Sequence, residues 1–402
     1  MMHDGTDKTK FYPLRTLYVY LTGDCNLRCR HCMVGAKFQA ETGRNPEFAP
    51  ELFLDVIRQA RPLGLFSVKL GGGEPFLHSR IGEFLEISRR EKVILNVETN
   101  AVLCTPSLAK DLVRCRLLNF SVSLDGADAE THEWMRCVAG CFESAIRGIK
   151  NLVADGIRLQ IIMSIVRRNA GQMEAMVRLA ESLGARAVQF NFVRPAGRGE
   201  KMLAGGELLT VGELIRLGAW VENELSRRTK LPVYFTRPIA FRPLDKMFGI
   251  EGPGTGGCGI LKLIGILADG SYSLCGMGAT LPELAFGHAG RDTLKDIWHG
   301  NPVLKEIRKG LPRRFKGICG ECLMKGICQG HCLAQHYSRS RDFWSPYWFC
   351  EEAEKEGLFP ANRKQDGYNR SHRSKKGDRL LFREDHAAGD KTIERMPCQD
   401  RG

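Results

Sequence analysis

Leu17-Tyr18-Val19-Tyr20-Leu21-Thr22-Gly23-Asp24-Cys25-Asn26-Leu27-Arg28-Cys29-Arg30-His31-Cys32 joins an apolar run to a loop that carries three cysteines. Short apolar runs bounded by Gly or Asp suit buried parallel strands. Such runs recur over residues 66–70, 93–97, 118–124, 159–165 and 187–192. Between them, residues 50–62, 80–90, 106–116, 142–154 and 171–183 carry a helical period. Pro106 near the start of one such stretch and Gly184 after another match the use of proline at helix starts and glycine past helix ends. Six units of this kind predict an α/β protein, a partial (β/α)6 TIM-type barrel, with a flavodoxin-like doubly wound sheet as the alternative. Either fold places catalytic residues at the C-terminal ends of its strands.

The cysteines define the chemistry. The chain has 15 among 402 residues, no apolar run long enough to span a bilayer and no apolar segment at its start to read as a secretory signal. The expected compartment is the cytoplasm, where thiols stay reduced. Cys25, Cys29 and Cys32 on one tight loop can bind three corners of a [4Fe–4S] cube and leave one iron open. A zinc site or free thiols are the alternatives; no fourth ligand sits at zinc-ribbon spacing. The net charge of +13 comes from 59 basic and 46 acidic residues. Residues 361–402 hold 11 Lys/Arg against 7 Asp/Glu, and the rest is spread without a dense block. That distribution predicts a diffuse solvated surface and no nucleic-acid groove.

Cys25-x3-Cys29-x2-Cys32 resembles the signature of the radical S-adenosylmethionine (SAM) superfamily, and the likeness extends through the first 200 residues. Gly72-Gly73-Glu74-Pro75 follows the second strand, where that family binds the SAM amino group. Glu98-Thr99-Asn100 ends the third strand, and the segment from Ser121 to Gly126, with Ser123 and Asp125, is similar to the ribose side of the family's site. Arg136 stands where relatives place a SAM-contacting arginine, and Val193 leaves the sixth strand where adenine packs. His31 replaces the aromatic residue usual before the third cysteine. The glycines have their own reason: a backbone that approaches a ligand closely cannot carry Cβ atoms.

Cys258, Cys275, Cys319, Cys322, Cys328, Cys332 and Cys350 form a second constellation, with Gly270 between the first two. It is similar to the SPASM domain, a C-terminal extension that houses two auxiliary Fe–S clusters. The resemblance implies Cys319, Cys322, Cys328 and Cys350 as ligands of one cluster and Cys258, Cys275 and Cys332 as ligands of the other. Residues 251–257 offer only Glu251 as a fourth ligand to the trio, which leaves that cluster with an open iron or a smaller core. A pair of zinc sites is the structural alternative. Cys104 and Cys115 are expected as buried small side chains, Cys137 and Cys141 beside the SAM pocket, and Cys398 in the tail.

The expected organisation is an N-terminal extension over 1–14, a radical SAM core over 15–206, a bridging region over 207–257, a SPASM domain over 258–360 and a basic disordered tail over 361–402. One long amphipathic helix is expected over 207–230. A hairpin turned by Asp269-Gly270 is expected over 262–268 and 272–274.

The resemblance implies reductive SAM cleavage and hydrogen-atom removal by a 5′-deoxyadenosyl radical, with a peptide or protein as substrate. It also implies an electron donor such as flavodoxin or ferredoxin. Maturation of a ribosomal peptide, with a thioether or other crosslink, is the expected function. About 14 residues precede the first strand, so a separate protein, or the surface around 200–255, would bind a leader peptide. Alternatives are a sulfatase-type maturase with Glu98 as acid or base, a small-molecule or cofactor-biosynthesis enzyme, and a non-enzymatic Fe–S carrier or zinc module.

Overall fold

The structure, a computed structural model, describes residues 12–42, 45–244, 247 and 258–365. Six strands fall where the apolar runs predict them: β1 (Thr16–Tyr20), β2 (Ser67–Gly71), β3 (Ile94–Thr99), β4 (Arg116–Ser123), β5 (Leu159–Ile165) and β6 (Ala187–Phe192). Four more join them: β7 (Val233–Phe235), β8 (Leu263–Ile266), β9 (Ser271–Ser273) and β10 (Ala285–His288). All ten form one sheet in the order β10-β9-β8-β1-β2-β3-β4-β5-β6-β7. The strands from β8 to β7 in that order pair in parallel, and β9 and β10 add antiparallel pairs at one edge.

The connecting helices include α1 (Pro50–Ala60), α2 (Ile81–Arg90), α3 (Pro106–Val113), α4 (Ala129–Arg136), α5 (Cys141–Ala154) and α6 (Met173–Ser182). On α1, Phe53, Val56, Ile57 and Ala60 are fully buried, the 3.6-residue stripe of a helix packed on a sheet. Proline at the first position starts α1 and α3, and the Asp128 carboxylate accepts from Thr131 N–H to start α4.

The strands alternate. Val68, Leu70, Leu95 and Val97 face the helices and are buried. Tyr18, Lys69, Glu98, Gln160 and Gln189 face the other way and are only half-buried. TIM-type interiors are filled by branched apolar side chains; this lumen is polar.

Three departures from the sequence-based expectations have local causes. The expected 207–230 helix is α7 (Val211–Asn223) plus a single 3-10 turn, Leu225–Arg227. A capping box between Thr210 and Glu213 sets its start, and the chain then enters β7. The expected hairpin is β8 and β9, but β8 also pairs in parallel with β1, so the boundary drawn at 258 runs through one sheet. Residues 361–365, expected to begin the disordered tail, make defined contacts although three of the five are exposed. Arg363 lies in a short 3-10 helix and its carbonyl accepts from Leu323 N–H. Lys364 forms a β-bridge to Cys322 and an ion pair with Glu354 at 2.6 Å. The rest of the expected tail, Cys398 within it, and Glu251 lie outside the described residues.

Candidate active site at the mouth of the barrel

The loop after β1 carries Cys25, Cys29 and Cys32. Asp24–Cys25 pairs with Lys37–Phe38 in a two-residue ladder, and Asn45 N–H donates to the buried Asp24 carboxylate at 3.0 Å. Leu27 N–H donates to Cys25 Sγ at 3.4 Å, and Arg136 Nη1 donates to Cys29 Sγ at 3.5 Å. From the loop after β6, Arg198 N–H donates to the Cys32 carbonyl at 3.0 Å. Cys29 and Cys32 both act on Cys25, whose thiol is pushed well up first by burial and then by Cys29. The three sulfurs are therefore near neighbours. Cys141 packs into the same buried group.

The Gly72-Gly73-Glu74-Pro75 turn lies against this loop. A Cβ on Gly73 would overlap the Asp24 carbonyl, and Gly72, at φ +125°, faces the Thr22 carbonyl. Beside the clearance for a ligand expected from the sequence, the structure gives these glycines a second reason, close packing of two backbone segments. Glu74 is buried. It accepts from Thr99 Oγ1 at 2.6 Å and Asn100 N–H at 2.8 Å, and burial pushes its carboxyl up to about 7. Its side chain braces the end of β3 to the turn. Asn100 Nδ2 donates to Asn26 Oδ1 at 2.7 Å and reaches Cys25 Sγ at 4.0 Å. Pro75 is buried at the start of a 3-10 turn.

Asp125, past the end of β4, is fully buried. Its Oδ1 accepts from Ser164 N–H at 2.8 Å, and its Oδ2 lies 2.8 Å from Arg136 and 3.5 Å from His31. Burial alone would raise its pKa, but Arg136 and His31 outweigh burial and hold it below the usual carboxylate range. Burial lowers His31 to about 4 and His132 to about 3, so both are neutral at pH 7. Ser123 ends β4, half-buried. Val193 packs with Met135, Val166 and Met202.

The remaining expected ligands gather in two groups. Cys332 is the leading electrostatic neighbour of both Cys258 and Cys275, and Cys258 also acts on Cys275. Cys319, Cys322, Cys328 and Cys350 line one cavity with Ile239, Phe315, Ile318 and Phe359. Tyr347 N–H donates to Cys319 Sγ at 3.2 Å and Met324 N–H to Cys322 Sγ at 3.3 Å. Pro238 and Ala240, from the expected bridging region, complete that cavity. His331 packs its ring on Tyr347, at 4.8 Å between centroids. Cys104 and Cys115 are buried, as expected.

All ten of these cysteines are free thiols. Among the described residues, no three His, Cys, Asp or Glu side chains close around a single metal ion. Ten thiols in three groups, four of them ringing a cavity, fit multi-iron clusters better than mononuclear zinc.

Glu98, the expected acid or base, has partners that the sequence does not show. Lys69 Nζ lies 2.5 Å from Glu98 Oε1, and Tyr18 Oη donates to Glu98 Oε2 at 3.0 Å. Tyr18 stacks on Tyr20 at 4.8 Å. The available signal was Tyr18, Tyr20 and Lys69 at alternate positions within apolar strands. Burial would raise the Glu98 pKa, but Lys69 and Tyr18 together hold it below the usual range. Glu98 is thus ionised at neutral pH and can accept a proton but has none to donate.

Residues 19–180 match the radical SAM superfamily, and residues 258–323 match the iron-sulfur cluster-binding SPASM domain. The chain is 28% identical to the AdoMet-dependent heme synthase of Methanosarcina barkeri, over 82% of this chain and 94% of that protein. It is also 28% identical to the mycofactocin maturase MftC of Mycobacterium tuberculosis, over 79% of this chain and 78% of that one. The fold is similar to that of Streptococcus suis SuiB bound to precursor peptide SuiA, with a TM-score of 0.66, 18% identity, and coverage of 85% of this chain and 76% of SuiB. Among the described residues, no helix is long and apolar enough to cross a membrane.

Proposed function

Because the chain is a radical SAM enzyme with a SPASM domain, we propose that it matures a ribosomally made peptide. The observation that carries this reading is the lumen. On the described barrel strands Lys69 and Glu98 neutralise each other, and the one other charged side chain, Arg116, stands at the opposite end of β4, where it donates to the Lys92 carbonyl. A neutral polar lumen suits peptide groups and uncharged side chains. The relative named as a heme synthase supports a second reading, a tetrapyrrole substrate. A substrate with several carboxylates would call for several unpaired cations together in the lumen; among the described residues Lys69 is paired with Glu98, Arg116 stands at the far end of β4, and Arg194, past β6, faces Cys258, Cys275 and Cys332.

In this proposal Cys25, Cys29 and Cys32 hold the [4Fe–4S] cluster that binds SAM. Cys319, Cys322, Cys328 and Cys350 hold one auxiliary cluster, and Cys258, Cys275 and Cys332 the other. SAM and its cluster supply hydrogen-atom abstraction from the substrate. The Gly72–Pro75 turn, Asn100, Ser123 and Val193 shape the SAM pocket. Arg136 sets the charge beside Cys29, and Asp125 orients Arg136. Glu74 holds the turn on β3, and its own carboxylate is taken up by Thr99 and Asn100. Glu98 can receive a proton that the substrate releases. A flavodoxin or ferredoxin supplies the electron, and a separate leader-binding protein presents the peptide. Anaerobic incubation with peptides encoded beside the gene, read by mass spectrometry, tests the proposal. A peptide mass change that requires SAM supports it; unchanged peptides alongside a consumed tetrapyrrole favour the second reading.

A further inference from the structure

Lys69 and Glu98 sit on adjacent central strands, with hydrogen-bonded neighbours on both sides. Their outward neighbours are fully buried under the helices. Yet the side chains of Lys69 and Glu98 are 26% and 40% accessible, and that access is to the lumen. Ion pairs taken out of bulk water seldom add net stability, so this one calls for another reason to be there. Lys69 has three N–H donors, of which Glu98 takes one. Each Glu98 oxygen keeps a further lone pair beyond its bond to Lys69 or Tyr18. The pair therefore shows the lumen a donor and an acceptor side by side, with no net charge.

That doublet selects by exclusion as well as by fit. A carboxylate placed on Lys69 meets the Glu98 carboxylate; an ammonium placed on Glu98 meets the Lys69 ammonium. Like charges a few ångströms apart repel strongly away from bulk water. A neutral group with a carbonyl and an N–H matches both at once. The location suits a substrate. Lys69 lies two residues before Gly71, where the glycine turn begins, and Glu98 two residues before Asn100. On the other side, Tyr20, stacked on Tyr18, reaches Gly276 beside Cys275; a Cβ on Gly276 would overlap the Tyr20 hydroxyl.

We propose that Lys69 and Glu98 form a subsite for an amide of the substrate, Lys69 donating to its carbonyl and Glu98 accepting from its N–H. This rests on the peptide reading above and adds the chemical group that the lumen grips. The subsite holds that amide between the glycine turn and the Cys258–Cys275–Cys332 trio.

The test uses the anaerobically reconstituted holoenzyme with SAM and three probes, N-acetylglycinamide, N-acetylglycinate and glycinamide, with binding read by ligand-observed NMR. The wild type is expected to bind the neutral diamide about tenfold or more tightly than either charged probe, the worth of one good hydrogen bond. Glu98→Gln is expected to move N-acetylglycinate to first place, and Lys69→Met to move glycinamide to first place. Lys69→Gln, which keeps a donor, is expected to show the Lys69→Met reversal in weaker form. A purely structural role would weaken all three probes together and leave their order intact. A wild type that prefers the carboxylate, or variants that keep the wild-type order, overturns the subsite. Reversal of the probe order with no peptide modified would leave the subsite standing and remove the peptide reading; a modified peptide with no reversal would do the opposite.

Discussion

The Arg136 guanidinium lies 2.8 Å from the Asp125 carboxylate, and both side chains are almost wholly shielded from solvent. The same guanidinium donates to Cys29 Sγ, so the ion pair ties the end of β4 to the cysteine loop. Removing one partner of a buried pair leaves an uncompensated charge and costs about 3–5 kcal/mol. Asp125→Asn is expected to lower stability by that order in chemical denaturation. Arg136→Met should cost a similar amount, and the double variant less than the sum of the two. Additive losses would show that the two residues act separately.

Gly73 is the tightest point between the glycine turn and the cysteine loop. Gly73→Ala is expected to push Asp24 and Cys25 away from Glu74. The reconstituted wild type should carry about 11–12 iron atoms per chain, from three groups of cysteine ligands. The variant should lose about four of them and keep the auxiliary iron, because the other seven cysteines lie in a separate part of the chain. Full iron content in Gly73→Ala would mean that the loop can yield; two zinc atoms and iron near four in the wild type would make the C-terminal cysteines structural.

His132 is buried and neutral, its Nδ1 accepting from Asp125 N–H at 3.1 Å, and burial lowers its pKa to about 3. An unfolded histidine titrates near 6.5. Between these values the unfolded chain binds more protons, so stability is full above about pH 6.5 and falls as pH drops toward 3. At pH 5 this histidine alone should cost on the order of 1–2 kcal/mol. His132→Gln is expected to flatten the loss between pH 7 and 5 in thermal melts. An equal slope in the variant would place the acid sensitivity elsewhere.

Residues 361–365 are tied to Cys322, one of the four cysteines that line the cavity, through the Cys322–Lys364 bridge and the neighbouring Leu323–Arg363 hydrogen bond. Deleting 366–402, a polar segment, should leave SAM cleavage within about threefold of the full chain. Deleting 361–402 should cost auxiliary iron as well. Equal behaviour of the two truncations would separate this segment from the cluster site.

The strands from β1 to β6 are legible in the sequence because each is an apolar run closed by a turn residue, a local signal. The cysteine groups are legible because their spacing is local too. β7 is not, since three residues carry no period. Pairing of β8 with β1 is a contact between segments some 250 residues apart, which no local pattern encodes. The same holds for partners. Asp125 reads as a strand-end carboxylate until Arg136 and His31 are seen around it. Gly73 reads as ligand clearance alone, and the Asp24 carbonyl packed against it is a further constraint that only the structure shows. Lys69 is the largest omission: a lysine inside an apolar run reads as a solvated edge, and only the curvature of the sheet turns it inward to Glu98.

The most direct measurement follows hydrogen from substrate to cofactor. A candidate peptide deuterated along its side chains is incubated anaerobically with the reconstituted enzyme, SAM and a reductant, and the 5′-deoxyadenosine is analysed by mass spectrometry. The account predicts deuterium in that product, in proportion to the modified peptide, and neither in the Cys25→Ala/Cys29→Ala/Cys32→Ala variant. Unlabelled 5′-deoxyadenosine at saturating peptide, or undiminished product from the triple variant, would contradict it.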